Sequence, residues 1–270
     1  MKRSQPLRIE DEKMHSFITS RTINSRLWFV NNKRFEERVL GYIAKAQQVR
    51  SVILYSVVFQ GNHVHILALF PQGNRGSFMR DVNARTAEAV KYTVAEFEGG
   101  PVFERRYSEQ GVVTNPSITD RFFYCALQPV NAGLCQRISE YPGYNSFSDA
   151  ASQIVREYKV IDWTRYNKAK KRDPGVRIRD YTKYYPLKFS RVPEFEYLDR
   201  NAYKDTLLKI LEEKRVQIIQ KKTAGGFQYP DPSFLSEVQP GSRPRSTKKD
   251  KPFERRPLLF CADVKLYYET

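Results

Sequence analysis

Two of the three histidines in this 270-residue chain stand two positions apart, His63 and His65 in the stretch HVHILALF. In a β-strand, positions i and i+2 project from one face, so both imidazoles would point together while Val64 packs behind them. Two neutral imidazoles side by side make half a site for a divalent ion. No Asp or Glu adjoins this strand, so further ligands would come from elsewhere, and the pair reads equally as two ordinary strand histidines. A second spacing offers a complement. Tyr124 and Gln128 lie four residues apart in ITDRFFYCALQ, one above the other if that stretch is helical. A Gln oxygen is an acceptable hard ligand for Mg²⁺ or Mn²⁺. A phenol is a competent nucleophile only as phenolate, which is scarce at neutral pH because its free pKa is about 10. A metal helps from the other side, by polarising a phosphoryl oxygen. The chain has seventeen tyrosines, and on spacing alone Tyr124 could pack on a sheet as Phe122 or Phe123 would.

These residues need elements to carry them. Ser51–Phe59, SVILYSVVF, is a β-branched run fit for a buried central strand. Gln60-Gly61-Asn62 supplies a tight turn, since Gly and Asn tolerate positive φ, and His63–Phe70 returns as the partner strand. Upstream, His15–Thr22 alternates as a strand. Phe35, Val39, Tyr42, Ile43, Ala46 and Val49 then fall on one face of an amphipathic helix. Downstream come a helix from Ser77 to about Phe97, ended by Gly99-Gly100-Pro101, and a strand-like stretch over Val102–Val113. Ser117, with Asp120 three residues on, predicts the cap of a third helix that runs until Pro129 interrupts it. The order βαββαβ plus a helix predicts an α+β fold, a ferredoxin-like four-stranded antiparallel sheet covered by helices.

Charge says more than composition. Lys+Arg number 46 against 30 Asp+Glu, a net +16, with a sequence pI near 9.7. Residues 151–270 carry 27 of the basic and 16 of the acidic residues, so +11 of the excess lies there. An enzyme of small neutral metabolites gains nothing from such a field, whereas a partner with many phosphates does. Hydrophobic residues at 40% exclude global disorder. No run of eighteen apolar residues predicts a membrane span, the N-terminus lacks the apolar stretch of a secretory signal, and a cytoplasmic protein is expected. Cys125, Cys135 and Cys261 are an odd set without CxxC spacing, against both a disulfide framework and a cysteine zinc site. Beyond Tyr144 the character changes. Asn167–Pro186 mixes a charge run with aromatics, Asp205–Gln220 predicts a helix, and Gln239–Arg256 is Pro- and Lys/Arg-rich. The expected organisation is residues 1–148 as one domain and 149–270 as a basic, partly helical extension for DNA or dimer contacts.

Residues 14–147 resemble the single-tyrosine HUH transposases, the REP-associated tyrosine transposases above all. The strand motif NHVHxL of that family stands here as Asn62-His63-Val64-His65-Ile66-Leu67, and its helix motif as YCALQPVNAGLC, Tyr124–Cys135, followed by Glu140-Tyr141-Pro142. Departures are Phe59-Gln60-Gly61 where Met-Pro is common, and Gly143-Tyr144 in place of the usual Trp. The resemblance implies a metal-dependent single-strand DNA endonuclease and strand transferase acting on hairpin or palindromic DNA. Tyr124 matches the nucleophile, which forms a 5′-phosphotyrosine link and frees a 3′-hydroxyl. His63 and His65 match the ligands of one Mg²⁺ or Mn²⁺, and Gln128 takes the third-ligand place.

A single strand or hairpin foot would be held by basic residues with aromatics stacking on bases. Candidates are Arg105 and Arg106 before the tyrosine helix, Arg121 one turn before Tyr124, and Lys170-Lys171-Arg172. Both a monomer and a homodimer that places one subunit's tyrosine in the other's site fit this reading. The rival from another class is a non-catalytic or domesticated hairpin-binding regulator on the same fold, against which the intact His63, His65 and Tyr124 argue.

Overall fold

The structure, a computed structural model, describes residues 11–95, 97–244 and 259–261. Its first half follows βαββαβ order: β1 (His15–Arg21), α1 (Lys33–Arg50), β2 (Ile53–Gln60), β3 (His63–Leu69), α2 (Arg75–Thr93) and β4 (Ser108–Val112). Then come α3 (Asn115–Ala126), α4 (Gln128–Asn131), α5 (Phe147–Ser152), β5 (Arg156–Ile161), α6 (Trp163–Lys170), β6 (Thr182–Leu187), α7 (Arg200–Ala224), α8 (Ser233–Ser236) and β7 (Leu259–Phe260).

The sheet order is β2-β3-β1-β4-β7, antiparallel throughout the first four strands, which is the ferredoxin-like arrangement. It has five strands rather than the expected four, because Leu259 and Phe260 pair in parallel with Gly111 and Val112. The alternation of side chains divides the sheet cleanly. Ser16, Ile18 and Ser20 face α2, where Ser16 meets Arg75 and Ser20 meets Asn83. Phe17, Thr19, His63 and His65 face the opposite side, which α3 covers. Helix α1 lies beside α2, and β5 and β6 pair with each other and pack on α1.

Several elements differ from their sequence-based forms for physical reasons. β2 is an edge strand, not a central one. Its open edge is covered by Phe59 N donating to Tyr144 O at 2.8 Å, Ser146 N to Val57 O at 3.0 Å and Ser190 N to Leu54 O at 2.7 Å. A covered edge needs the same apolar residues as a central strand. The β2–β3 turn contains no positive φ. A Cβ at Gly61 would stand 2.7 Å from Leu27 Cδ2 and 3.1 Å from Val30 Cγ1, so these side chains would have to shift to admit one. α2 ends at Thr93, six residues before the first glycine of Gly99-Gly100-Pro101. The α3 cap is Thr114, not Ser117: its Oγ1 accepts from Ser117 N at 3.3 Å, and Pro116 opens the helix, where a missing N–H does no harm.

One hydrophobic core runs through both halves of the sequence. Ile18, Phe35, Leu54, Phe59, Phe78, Phe122 and Phe123 share it with Leu187, Phe189, Val192, Tyr203, Leu207 and Leu211 from beyond residue 148. The predicted helix at 205–220 is longer as α7 and is capped by Asp199, whose Oδ1 accepts from Asn201 N and Ala202 N. Of the Pro- and Lys/Arg-rich stretch Gln239–Arg256, the part from residue 245 on lies outside the described residues. No helix among the described residues is long and apolar enough to cross a membrane.

Candidate active site

The histidines owe their placement to the hairpin. A two-residue turn sets Gln60 opposite His63 and Val58 opposite His65, and β1 on the other side sets Arg21 and Thr19 opposite the same two residues. Both imidazoles therefore stand on the α3 side, with ring centroids 4.7 Å apart and rings at 82°. Each ring is held through Nδ1: His63 lies 2.7 Å from Asn62 Oδ1, and His65 lies 3.0 Å from Thr19 Oγ1. With the Asn62 oxygen toward it, His63 Nδ1 donates and the basic lone pair stands on Nε2; Thr19 can fix His65 in the same sense. Hydrogen bonds of this kind are what orient imidazole ligands of metal ions.

Phe17 forms the floor. Its ring stacks on His65 at 5.1 Å and meets the Tyr124 ring edge-on at 5.6 Å. Tyr124 comes down from α3 to lie 6.0 Å from the His65 ring. On that helix Phe122, Phe123, Cys125 and Ala126 are buried, whereas Tyr124 is 36% exposed, so a substrate can reach its phenol. Arg121, one turn earlier, places its guanidinium 5.1 Å from the Tyr124 ring centre, 5.3 Å from Phe17 and 3.4 Å from Phe260. Three ring faces around one guanidinium hold its positive charge beside the phenol.

Gln128 is not on the same helix as Tyr124. α3 ends at Ala126, and Gln128 opens the separate turn α4 because Pro129 has no N–H to continue the ladder. Gln128 is buried at 7% exposure, and its Nε2 has no hydrogen-bond partner among the described residues. Gln60, which faces His63 across the hairpin, is buried at 4% with Nε2 likewise unpartnered. The amide ends of both can be turned, so each offers an oxygen as readily as a nitrogen. Among the described residues no group of three His, Cys, Asp or Glu could hold a metal ion. Two imidazoles with the Gln60 amide opposite His63 are neutral donors, a set that suits a divalent cation whose charge is left for an anionic substrate.

The other basic candidates lie elsewhere. Arg105 and Arg106 precede β4 rather than lying in it and line a groove on the α2 side. Lys170, Lys171 and Arg172 are exposed at the end of α6, on the unit that packs on α1. Of the basic set only Arg121 joins His63, His65 and Tyr124. Sequence reasoning missed Phe17, Thr19, Gln60 and Phe260. The first three were within reach, since Phe17, Thr19 and Gln60 follow from pairing register once β1 is placed beside β3. Phe260 gives no local signal.

No protein-family model and no curated protein matches the chain. Solved structures are similar to it. Both of the following are described as transposases. A REP-associated tyrosine transposase bound to a REP hairpin is 18% identical, with a TM-score of 0.46 over 54% of this chain and 83% of the other. A protein of Deinococcus radiodurans is 13% identical, with a TM-score of 0.32 over 45% of this chain and 93% of the other.

Proposed function

We propose that the chain is a single-tyrosine HUH transposase: a metal-dependent endonuclease and strand transferase of hairpin-bearing single-stranded DNA. The observation that supports it most is the convergence of Tyr124, from α3, on the His63/His65 pair from β3, with 6.0 Å between the Tyr124 and His65 rings. The two sequence motifs of the resemblance thus meet at one place, 61 residues apart in the chain, on a partly exposed surface.

In this reading His63, His65 and Gln128 hold Mg²⁺ or Mn²⁺, with Gln60 a further amide at hand. The ion, when bound, polarises the scissile phosphate and stabilises the charge of its transition state. Tyr124 Oη attacks phosphorus, a phosphotyrosine bond forms, the P–O3′ bond breaks, and the phenol proton leaves to solvent as the 3′-oxygen takes one up. One phosphodiester replaces another, so a second 3′-hydroxyl can run the step in reverse and join strands. Arg121 draws the phosphate toward the phenol through its fixed positive charge, and Phe17 keeps the imidazole and phenol rings in register.

The test is cleavage of an end-labelled hairpin oligonucleotide with single-stranded flanks. Cleavage is expected with Mg²⁺ or Mn²⁺, to vanish in excess EDTA, and to be lost in His63→Ala and His65→Ala. Gln128→Ala is expected to be milder, since water can replace one neutral oxygen ligand. Full cleavage in excess chelator would overturn the metal-dependent reading.

A further inference from the structure

Between α2 and the stretch leading into β4 lies an open groove of about 670 Å³ that the chemistry above does not use. It runs along α2 from Asn74 to Ala84, about 15 Å by the helical rise per residue. Arg80, Arg105 and Arg106 stand along it, with Phe103 and Tyr107 among its walls. The Arg106 guanidinium is 5.9 Å from the Tyr107 ring centre. At the outer end the amino terminus of α2 has no side-chain cap and no acidic residue in its first turn. Asn74 Oδ1 there is buried without a hydrogen-bond partner among the described residues. At the inner end Asn83 donates to Ser20, whose partner in β3 is Val64, the residue between the two histidines. Phe103 bridges Thr22, and Glu104 N donates to Arg21 O, while Arg21 pairs with His63 on its other side. One strand therefore separates the mouth of the groove from His63, a lateral distance of about 10 Å.

Guanidinium groups, a helix amino end without a side-chain cap, the half-buried Phe103 ring and a lone buried acceptor are complementary to one kind of ligand. Phosphates take the first two, a base face stacks on Phe103, and a base amino group suits the acceptor. We propose that this groove holds one or two nucleotides of single-stranded DNA flanking the scissile phosphate. The strand crosses the end of the sheet at Arg21 and Phe103 and continues along α2 with its phosphates on Arg80, Arg105 and Arg106. This rests on the reading of the chain as a single-strand nuclease, and it assigns the groove a role distinct from the chemistry at Tyr124.

The experiment uses the full chain and an oligothymidylate of about twelve nucleotides, within the range such sites cover. One position carries 5-iododeoxyuridine, near-ultraviolet light crosslinks it, and the adduct is mapped by peptide mass spectrometry. Crosslinks are expected in the peptides spanning 77–84 and 103–107. In fluorescence anisotropy the Arg105→Ala/Arg106→Ala double variant is expected to bind about tenfold more weakly, with a salt slope reduced by about two, one per phosphate contact. Both arginines are exposed, so the variant is expected to stay folded, which its melting temperature checks. Crosslinks confined to other peptides, or a double variant with unaltered affinity and slope, overturn the groove assignment. Failure of the nuclease reading registers separately: labelled groove peptides with no covalent Tyr124 adduct would support a nucleotide groove on a protein that does not cleave.

Discussion

At Thr19 a single hydroxyl is a partner of His65. It lies 3.0 Å from Nδ1, and with it in place the basic lone pair can sit on Nε2. Thr19→Val keeps the β-branched shape the strand needs and removes only that partner. Loss of such a hydrogen bond weakens metal affinity by roughly 10–100-fold. A Mn²⁺ titration followed by electron paramagnetic resonance is expected to show that loss, with cleavage recovered at higher Mn²⁺; an unchanged titration would remove Thr19 from the site. In the proposed reaction the donors are neutral, so a bound ion would keep its charge for the phosphate, and the +16 net charge of the chain would favour a polyanion.

The elements position the site through a few close approaches, and one is at Gly143. A Cβ there would stand 2.6 Å from Phe59 O and 2.6 Å from Tyr141 Cε1. Phe59 is the β2 residue just before Gln60, and the 144–146 stretch hydrogen-bonds along the same strand edge. Backbone in a sheet cannot yield as a flexible side chain can, so Gly143→Ala should destabilise by about 1–3 kcal/mol. A drop of several degrees in the thermal midpoint is expected, and an unchanged midpoint would contradict the close packing described. This packing also marks what the sequence could and could not reveal. The histidine strand, its hairpin and the tyrosine helix were legible because periodicity and turn chemistry are local signals. The edge position of β2 was not, since burial by a distant segment leaves the same apolar run as burial between strands. Nor was the break between Tyr124 and Gln128: Pro129 predicted a stop but did not say which side of it Gln128 would fall. Leu259–Phe260 was out of reach because a two-residue strand carries no period, and its pairing with β4 is nonlocal.

For the molecule as a whole, the chain beyond residue 148 matters through packing as well as charge. Leu187, Phe189, Val192, Tyr203, Leu207 and Leu211 are buried in the core that supports α3 and β2. At about 1.5–3 kcal/mol for each buried side chain, their loss is on the order of 10 kcal/mol. That equals the whole stability of a typical domain, roughly 5–15 kcal/mol. Truncation after Ser148 is therefore expected to abolish the cooperative unfolding transition seen by circular dichroism; a truncated chain that melts cooperatively would contradict this account. The basic excess acts on a different face. Residues 156–191 carry twelve Lys and Arg against four Asp and Glu, on a unit packed on α1, across the sheet from Tyr124. The proposed reaction would make the protein and its DNA one covalent molecule, and that event tests the central claim most directly. Wild-type protein incubated with labelled hairpin DNA and Mn²⁺ is run on a denaturing gel, and the shifted band is digested and mapped. A phosphotyrosine–DNA adduct at Tyr124, absent from Tyr124→Phe protein that still binds the DNA within about threefold, since only one hydroxyl is lost, is the expected result. An adduct that persists in Tyr124→Phe, or maps to another of the seventeen tyrosines, would contradict it.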